Sequence, residues 1–293
     1  MAGVIQTVKN TIAENLGGAS HSLATKDTQF SLAEVPDQSN KVAVITAGSR
    51  GIGYACAHTL LERNISKLFI IASTQESLDG ASSHISSTLG QSTVSKVKFL
   101  QADLADWKSL PSIAKQITDS TDRIDLLIND AARGIMTYQQ TSYGVDRHMA
   151  VCHVGHVILT SHLLPRIRET AKSNSGDKVR LVMLGSNAHQ ATPSDCKFAS
   201  LDELNQDLGP NGQYGRAKLA QMLQWEGAVS AMFCATKTEE GGQYVCPPAI
   251  PEAGSKLYQD EEGELERNLM DLTIRLVREK MDPEKQGCPL KLY

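Results

Sequence analysis

The chain has 293 residues, with 29 Lys and Arg set against 33 Asp and Glu for a net charge of −4. That balance holds no basic cluster of the kind nucleic acid requires, and no apolar run approaches the length of a membrane span. The six cysteines, Cys56, Cys152, Cys196, Cys234, Cys246 and Cys288, show no paired short spacing, which suits reduced thiols in a cytoplasmic protein better than a disulfide framework.

Residues 1–40 read as a separate arm. Val4, Ile5, Val8 and Ile12 recur at helical spacing, so a short amphipathic helix is expected over 3–16, ending at Gly17-Gly18. The polar stretch 19–40, with Pro36 and several Ser and Asp, reads as a connector packed on the domain or on a partner subunit. There is no compact apolar core of a secretory signal, and Glu14 and Asp27 without any Arg argue against a transit peptide.

From residue 41 onward the pattern is that of one domain reaching 293. Strand-like runs at 42–46, 67–72, 97–101, 124–128 and 179–184 alternate with amphipathic helical stretches, which predicts a parallel sheet covered on both faces. The first run, Val42-Ala-Val-Ile45, leads into Thr46-Ala-Gly-Ser-Arg-Gly-Ile-Gly53 and then a helix in which Ile52, Cys56, Thr59 and Leu60 fall on one face. Strand, glycine turn and helix start in that order make a phosphate cradle. Glycines let the backbone approach the anion, and the free N–H groups of the helix start point at it. Thr46, Gly48, Ser49, Arg50, Gly51, Ile52 and Gly53 are therefore expected to hold a nucleotide.

Further along, Asp103-Leu104 follows the third run, Asn129-Asp-Ala-Ala132 follows the fourth and Ser186 follows the fifth. Tyr214 and Lys218, four apart, share a helical face, so an ammonium can sit beside a phenol and lower its pKa. Such a pair can give a proton to a carbonyl or take one from an alcohol. Cys152 and His156 also share a face, with His153, His148 and His162 nearby. No carboxylate or second Cys completes a set, so no metal is expected.

These motifs, in this order, resemble the short-chain dehydrogenase/reductase family over about 41–222. The pattern Thr-Gly-x-x-x-Gly-x-Gly is met at Thr46, Gly51 and Gly53, with Ala47 in place of its first Gly. Asn129-Asp-Ala-Ala132 stands for Asn-Asn-Ala-Gly, and Ser186, Tyr214 and Lys218 match the catalytic Ser and Tyr-x-x-x-Lys. The resemblance implies a Rossmann-like, doubly wound α/β domain of three layers and a homo-oligomer. It implies that Asp103 contacts adenine, with Leu104 beside it and Asn129 lining the cofactor. It also implies hydride transfer between a nicotinamide and a carbonyl or secondary alcohol. Ser186 would bind the substrate oxygen, Tyr214 would exchange the proton, and Lys218 would tune Tyr214 and hold the ribose. NAD enzymes usually place an acid after the second strand, and Ala72-Ser-Thr-Gln75 has none. Arg50 in the glycine turn suits a 2′-phosphate, so the cofactor expected is NADP (NADPH).

Two departures follow. Cys152 stands at the family's catalytic Asn, and a thiol hydrogen-bonds weakly, which weakens a relay through water to solvent. After Lys218 the family's sixth strand, its Pro-Gly and the substrate loop are missing, a shortening of roughly fifty residues judged against the family pattern. The stretch Pro247-Pro-Ala-Ile-Pro-Glu-Ala-Gly-Ser255 is similar to that of fungal retinol-dehydrogenase-like reductases, often found in secondary metabolism. The sheet is then expected to be one strand short, with a single helix over 214 to about 235. Residues 243–246 would fill the place beside the fifth strand, and 264–280 would form a closing helix with Leu265, Leu269, Leu272 and Leu276 on its apolar side. Two functions compete: an NADP-dependent oxidoreductase of a ketone or secondary alcohol, of polyketide or isoprenoid origin, or a catalytically impaired relative that binds nucleotide, pairs with another subunit or is an internally shortened product of a working gene.

Overall fold

The computed structural model describes residues 30–173, 178–223, 245–246, 250–251, 256–260 and 263–281. The helix expected over 3–16 and the continuation of the Tyr214 helix beyond 223 lie outside them.

Five parallel strands form one sheet: β1 (Val42–Thr46), β2 (Lys67–Ala72), β3 (Val97–Gln101), β4 (Leu126–Asn129) and β5 (Arg180–Met183). Their order is β3-β2-β1-β4-β5, so the chain reverses direction across the sheet between β1 and β4. Three strands keep the bounds that their apolar runs predict. β4 starts two residues later than expected, although the Asp125 backbone still hydrogen-bonds to Val42 and Arg180 and its carboxylate accepts the Val42 N–H.

The principal helices are α1 (Gly51–Glu62), α2 (Gln75–Leu89), α3 (Leu110–Thr118), α4 (Gly155–Ser173), α5 (Gly209–Leu223) and α6 (Glu264–Met281). Alternate strand residues face opposite layers, as the two-residue strand period requires. Ala43, Ile45, Leu68 and Ile70 pack with Cys56, Leu60, Leu78 and Ile85 of α1 and α2. Val42, Val44, Phe69 and Leu127 pack on the other face with residues of α3 to α6. The result is a three-layer, Rossmann-like α/β fold. The described part of the connector lies against the end of α1, where Arg63 donates to the Ala33 carbonyl at 2.8 Å.

The closing helix forms as expected, with Leu269, Leu272, Leu276, Val277 and Met281 buried and Leu265 packed at the margin. The strand exchange proposed for 243–246 does not occur. Val245–Cys246 pairs antiparallel with Ile250–Pro251 as β6 and β7, a two-stranded sheet of its own. A short local loop closes at less entropic cost than a crossover, and Pro247, Pro248 and Pro251 lack the N–H that an interior ladder needs. Among the described residues β5 is therefore an edge of the main sheet.

Candidate active site

The site lies beyond the carboxyl ends of β1, β4 and β5, flanking the topological switch between β1 and β4. In the glycine turn Ala47 takes φ +54 and Gly51 φ +57, so an alanine accepts the left-handed conformation that the family's first glycine would take freely. A Cβ on Gly51 would meet open space, whereas one on Gly53 would lie 2.6 Å from both the Ala47 carbonyl and the Asp130 Oδ2. Arg50, the exposed N-cap of α1, makes no side-chain cap, and of the first N–H groups of α1 that of Gly53 faces the Asp130 carboxylate. The exposed turn at Arg50, Gly51 and Ile52 fits a phosphate.

Ser49 donates to Ser77 Oγ at 3.2 Å, tying the turn to the start of α2. Asp103 accepts from the Ala105 N–H at 2.9 Å and pairs with Arg147. Leu104 is buried in the core. Ile52, expected on the buried face of α1, is 63% exposed. Its position at the first turn puts it on the rim of the site, while Cys56, Thr59 and Leu60 are buried as expected.

A buried network holds this end of the sheet. Thr46 Oγ1 accepts the Ala131 N–H at 3.0 Å and lies 2.9 Å from His156 Nε2. His156 Nδ1 is 3.0 Å from the Cys152 carbonyl, which can only accept. The proton of the neutral ring therefore sits on Nδ1, and Thr46 donates to Nε2. Burial holds His156 down to about 4, so the ring is neutral at ordinary pH. His153 Nε2 contacts Thr273 Oγ1 at 2.8 Å, and His148 Nε2 donates to the Gly134 carbonyl at 3.1 Å. These three imidazoles serve three separate partners. Among the described residues no group of His, Cys, Asp or Glu is placed to hold a metal.

Ser186 caps the helical turn Asn187–Ala191 through the Ala188 N–H at 3.1 Å. Its hydroxyl faces that of Tyr214 and acts to lower the phenol's pKa. Gly215 makes that approach possible, since a Cβ there would lie 2.6 Å from the Ala188 carbonyl. Lys218 is buried, with Nζ 5.7 Å from the Tyr214 ring centroid. Its ammonium donates to the Leu184 carbonyl and, at 2.8 Å, to Gln221 Oε1. Gln221 Nε2 in turn donates to the Asn129 carbonyl at 3.4 Å, and the Asn129 side chain donates to Thr160 at 3.2 Å.

The expectation that Lys218 lowers the Tyr214 pKa needs correction. Burial pushes the phenol up, with Cys152 and Asp130 adding to it, and Ser186 only partly offsets the rise. Lys218 is itself pushed down by burial. Cys152 is fully buried, held up as a thiol, with Sγ 4.0 Å from the Arg133 carbonyl.

Sequence reasoning missed three contributors. Asp130 lies against Gly53, burial pushes it up to about 6, and Lys218 and the Gly53 N–H offset part of the rise. Gly215 lies within the Tyr-x-x-x-Lys motif and Gln221 three residues after it, but both look like ordinary helix residues in sequence. For Asp130 the signal was its place in an Asn-Asn-Ala-Gly position.

A model of the family described as short chain dehydrogenase matches residues 41–194. Bli-4 of Neurospora crassa, named as a mitochondrial oxidoreductase, is 41% identical across 97% of this chain and 82% of its own length. That match runs over 345 residues, 52 more than the 293 of this chain, so at least that many of its positions have no counterpart here. The short chain dehydrogenase/reductase dpchH of Colletotrichum higginsianum is 28% identical across 67% of this chain and 51% of its own. A crystal structure of an uncharacterized protein from Mycobacterium paratuberculosis shares the fold, with a TM-score of 0.68 at 21% identity over 86% of this chain and 98% of that one. The chain belongs to the short-chain dehydrogenase family and is an oxidoreductase by descent.

Proposed function

We propose that the chain is an NADPH-dependent reductase of a ketone or aldehyde, working on a small molecule of secondary metabolism. The observation that carries this reading is the meeting of Ser186, Tyr214 and the buried Lys218 beside a glycine turn whose N-cap, Arg50, is exposed and makes no cap bond. Bound nicotinamide supplies the hydride. The rest falls to side chains. Ser186 Oγ and the Tyr214 hydroxyl, which face one another, bind the carbonyl oxygen together, and Tyr214 gives it the proton. The phenol is protonated at neutral pH, as a donor to a carbonyl must be. Lys218 holds the ribose after exchanging one of its protein acceptors for it.

NADP is favoured because residues 72–75 carry no acid and Arg50 stands exposed at the turn. Gly51, Ile52 and Asp103 complete the cofactor surface in this reading, with Thr46, Gly48, Ser49, Gly53, Leu104 and Asn129 buried behind it. Ile52, Ile135 and Met136, each more than half exposed, give the rim an apolar character suited to a polyketide- or isoprenoid-derived carbonyl. The free buried thiols Cys56, Cys152 and Cys196 suit a reducing compartment. Fractionation decides between the cytoplasm and the mitochondrion named for the Neurospora relative. Sedimentation tests the homo-oligomer expected of the family.

The second reading is an impaired relative, favoured by the edge position of β5 and the shortening against bli-4. Titration with NADPH and NADH, followed by nicotinamide fluorescence, tests the nucleotide site, and turnover of a carbonyl separates the reductase from a relative that only binds. Binding that prefers NADPH and weakens in Arg50→Ala supports the reductase and justifies a screen of carbonyls against Tyr214→Phe. Failure to bind either nucleotide leaves the impaired relative.

A further inference from the structure

We propose that Asp130 couples nucleotide binding to proton uptake: when a phosphate-bearing dinucleotide occupies the glycine turn, the Asp130 carboxylate takes a proton from solvent. This rests on the nucleotide reading of the turn. The carboxylate follows β4 and presses on the glycine turn, its Oδ2 only 2.6 Å from the place a Gly53 Cβ would take. The Gly53 N–H, one of the donors an anion at the start of α1 would use, already donates to it. A phosphate at that helix start and an ionised Asp130 would be two like charges in one partly buried space, and the cheapest relief is protonation of the weaker acid.

The surroundings leave Asp130 able to do this. From α1, Gly53 and Cys56 face it, and Cys56 is a thiol pushed up to about 12 that brings no charge. From α5, Lys218 and Tyr214 face it, the first favouring the carboxylate and the second neutral. Burial outweighs Lys218 and holds the carboxyl up to about 6 before any ligand arrives. An added anion raises it further, so the bound form keeps its proton to higher pH than the free form. Affinity is then greatest below about pH 6 and falls as pH rises, by about tenfold for each unit that binding adds to the Asp130 pKa.

The test is titration calorimetry with NADPH and with NADH, in buffers of different ionisation enthalpy, from about pH 5.5 to 8.5. Wild type is expected to take up a substantial fraction of a proton near neutrality. Asp130→Asn, the residue usual in the family at this place, should abolish that uptake, bind more tightly at alkaline pH and lose the slope. Asp130→Ser serves in its place if the Asn variant does not fold. The 2′-phosphate of NADPH, with a second pKa near ~6, releases a proton when paired with a cation. That is the opposite sign, and NADH lacks the group. Binding without proton uptake in wild type, or with equal uptake in Asp130→Asn, overturns the proposal and leaves the cofactor reading standing. No binding of either nucleotide overturns the cofactor reading, and this proposal with it.

Discussion

Burial drives Tyr214 and Lys218 toward their neutral forms from opposite sides, the phenol up and the ammonium down. Tyr214→Phe keeps the ring and removes the proton. It should cut carbonyl reduction by about 10²–10⁴-fold while NADPH binding stays near wild type, checked by pairing turnover with fluorescence titration. The raised phenol also fixes a pH dependence. Reduction needs Tyr214 protonated, so its rate should show no loss from Tyr214 ionisation until pH exceeds the ordinary value near ~10. Oxidation of the matching alcohol needs the phenolate and should climb with pH, and rate profiles in both directions read this. His156 and Asp130 set stability in a lower window. His156 falls from 6.5 to about 4, so the unfolded chain binds its proton first. Its contribution is present above pH 6.5 and lost as pH falls toward 4. Asp130 rises from 3.8 to about 6, so its effect runs the other way, lost as pH climbs through that range. Each is worth about 3 kcal/mol at most, from the size of its shift. Asp130→Asn should therefore match wild type near pH 4 and exceed it increasingly up to about pH 6, as measured by urea denaturation across that range.

At the scale of elements, close backbone approach matters more than side-chain chemistry. Gly215→Ala would drive a Cβ into the Ala188 carbonyl, part α5 from the turn that carries Ser186, and break the Ser186–Tyr214 contact. Reductase activity should fall with the fold retained, as circular dichroism and turnover together would show. Thr273→Val takes from the buried His153 its acceptor on α6 and should cost about 1–3 kcal/mol of stability. What was legible in sequence divides along the same line. The bounds of β1 and β2 follow from apolar runs, because a strand buried on both faces writes itself as one, while β3, at the edge, is marked only by Val97, Phe99 and Leu100. The glycine turn and the Tyr214–Lys218 pair could be read from spacing alone. Asp130 against Gly53 could not, since 77 residues separate them and only the parallel pairing of β1 with β4 brings them together. The Gln221 acceptor of Lys218 looked like any other polar helix residue. The pairing of Val245–Cys246 with Ile250–Pro251 instead of β5 depended on competition between two pairings, which a strand pattern does not rank.

Across the whole molecule, β1 and β4 form the middle of the sheet, with β2 and then β3 to one side and β5 alone on the other. Amide exchange should be slowest at residues 43–45, 68–71 and 126–128 and faster in β5, whose outer backbone groups have no strand partner among the described residues. No described helix is long and apolar enough to cross a membrane. At the end of the strands opposite the site, Arg123 pairs with Asp125 and Lys67 donates to the Ser120 carbonyl. Change there should therefore alter stability and leave ligand selection alone.

Just before α4 the chain runs through one widened helical turn, Ala150–Val154. Two of its carbonyls are answered from outside the backbone ladder, Ala150 by Trp107 Nε1 at 3.3 Å and Cys152 by His156. Such a turn carries one residue more than a regular helix would, and each residue advances the helix by about 100°. The widened turn is thus a phase setting, deciding which side of α4 meets the sheet. Deleting a single residue within it would make a more regular helix and swing His156 off Thr46, Thr160 off Asn129 and the apolar stripe of α4 toward water.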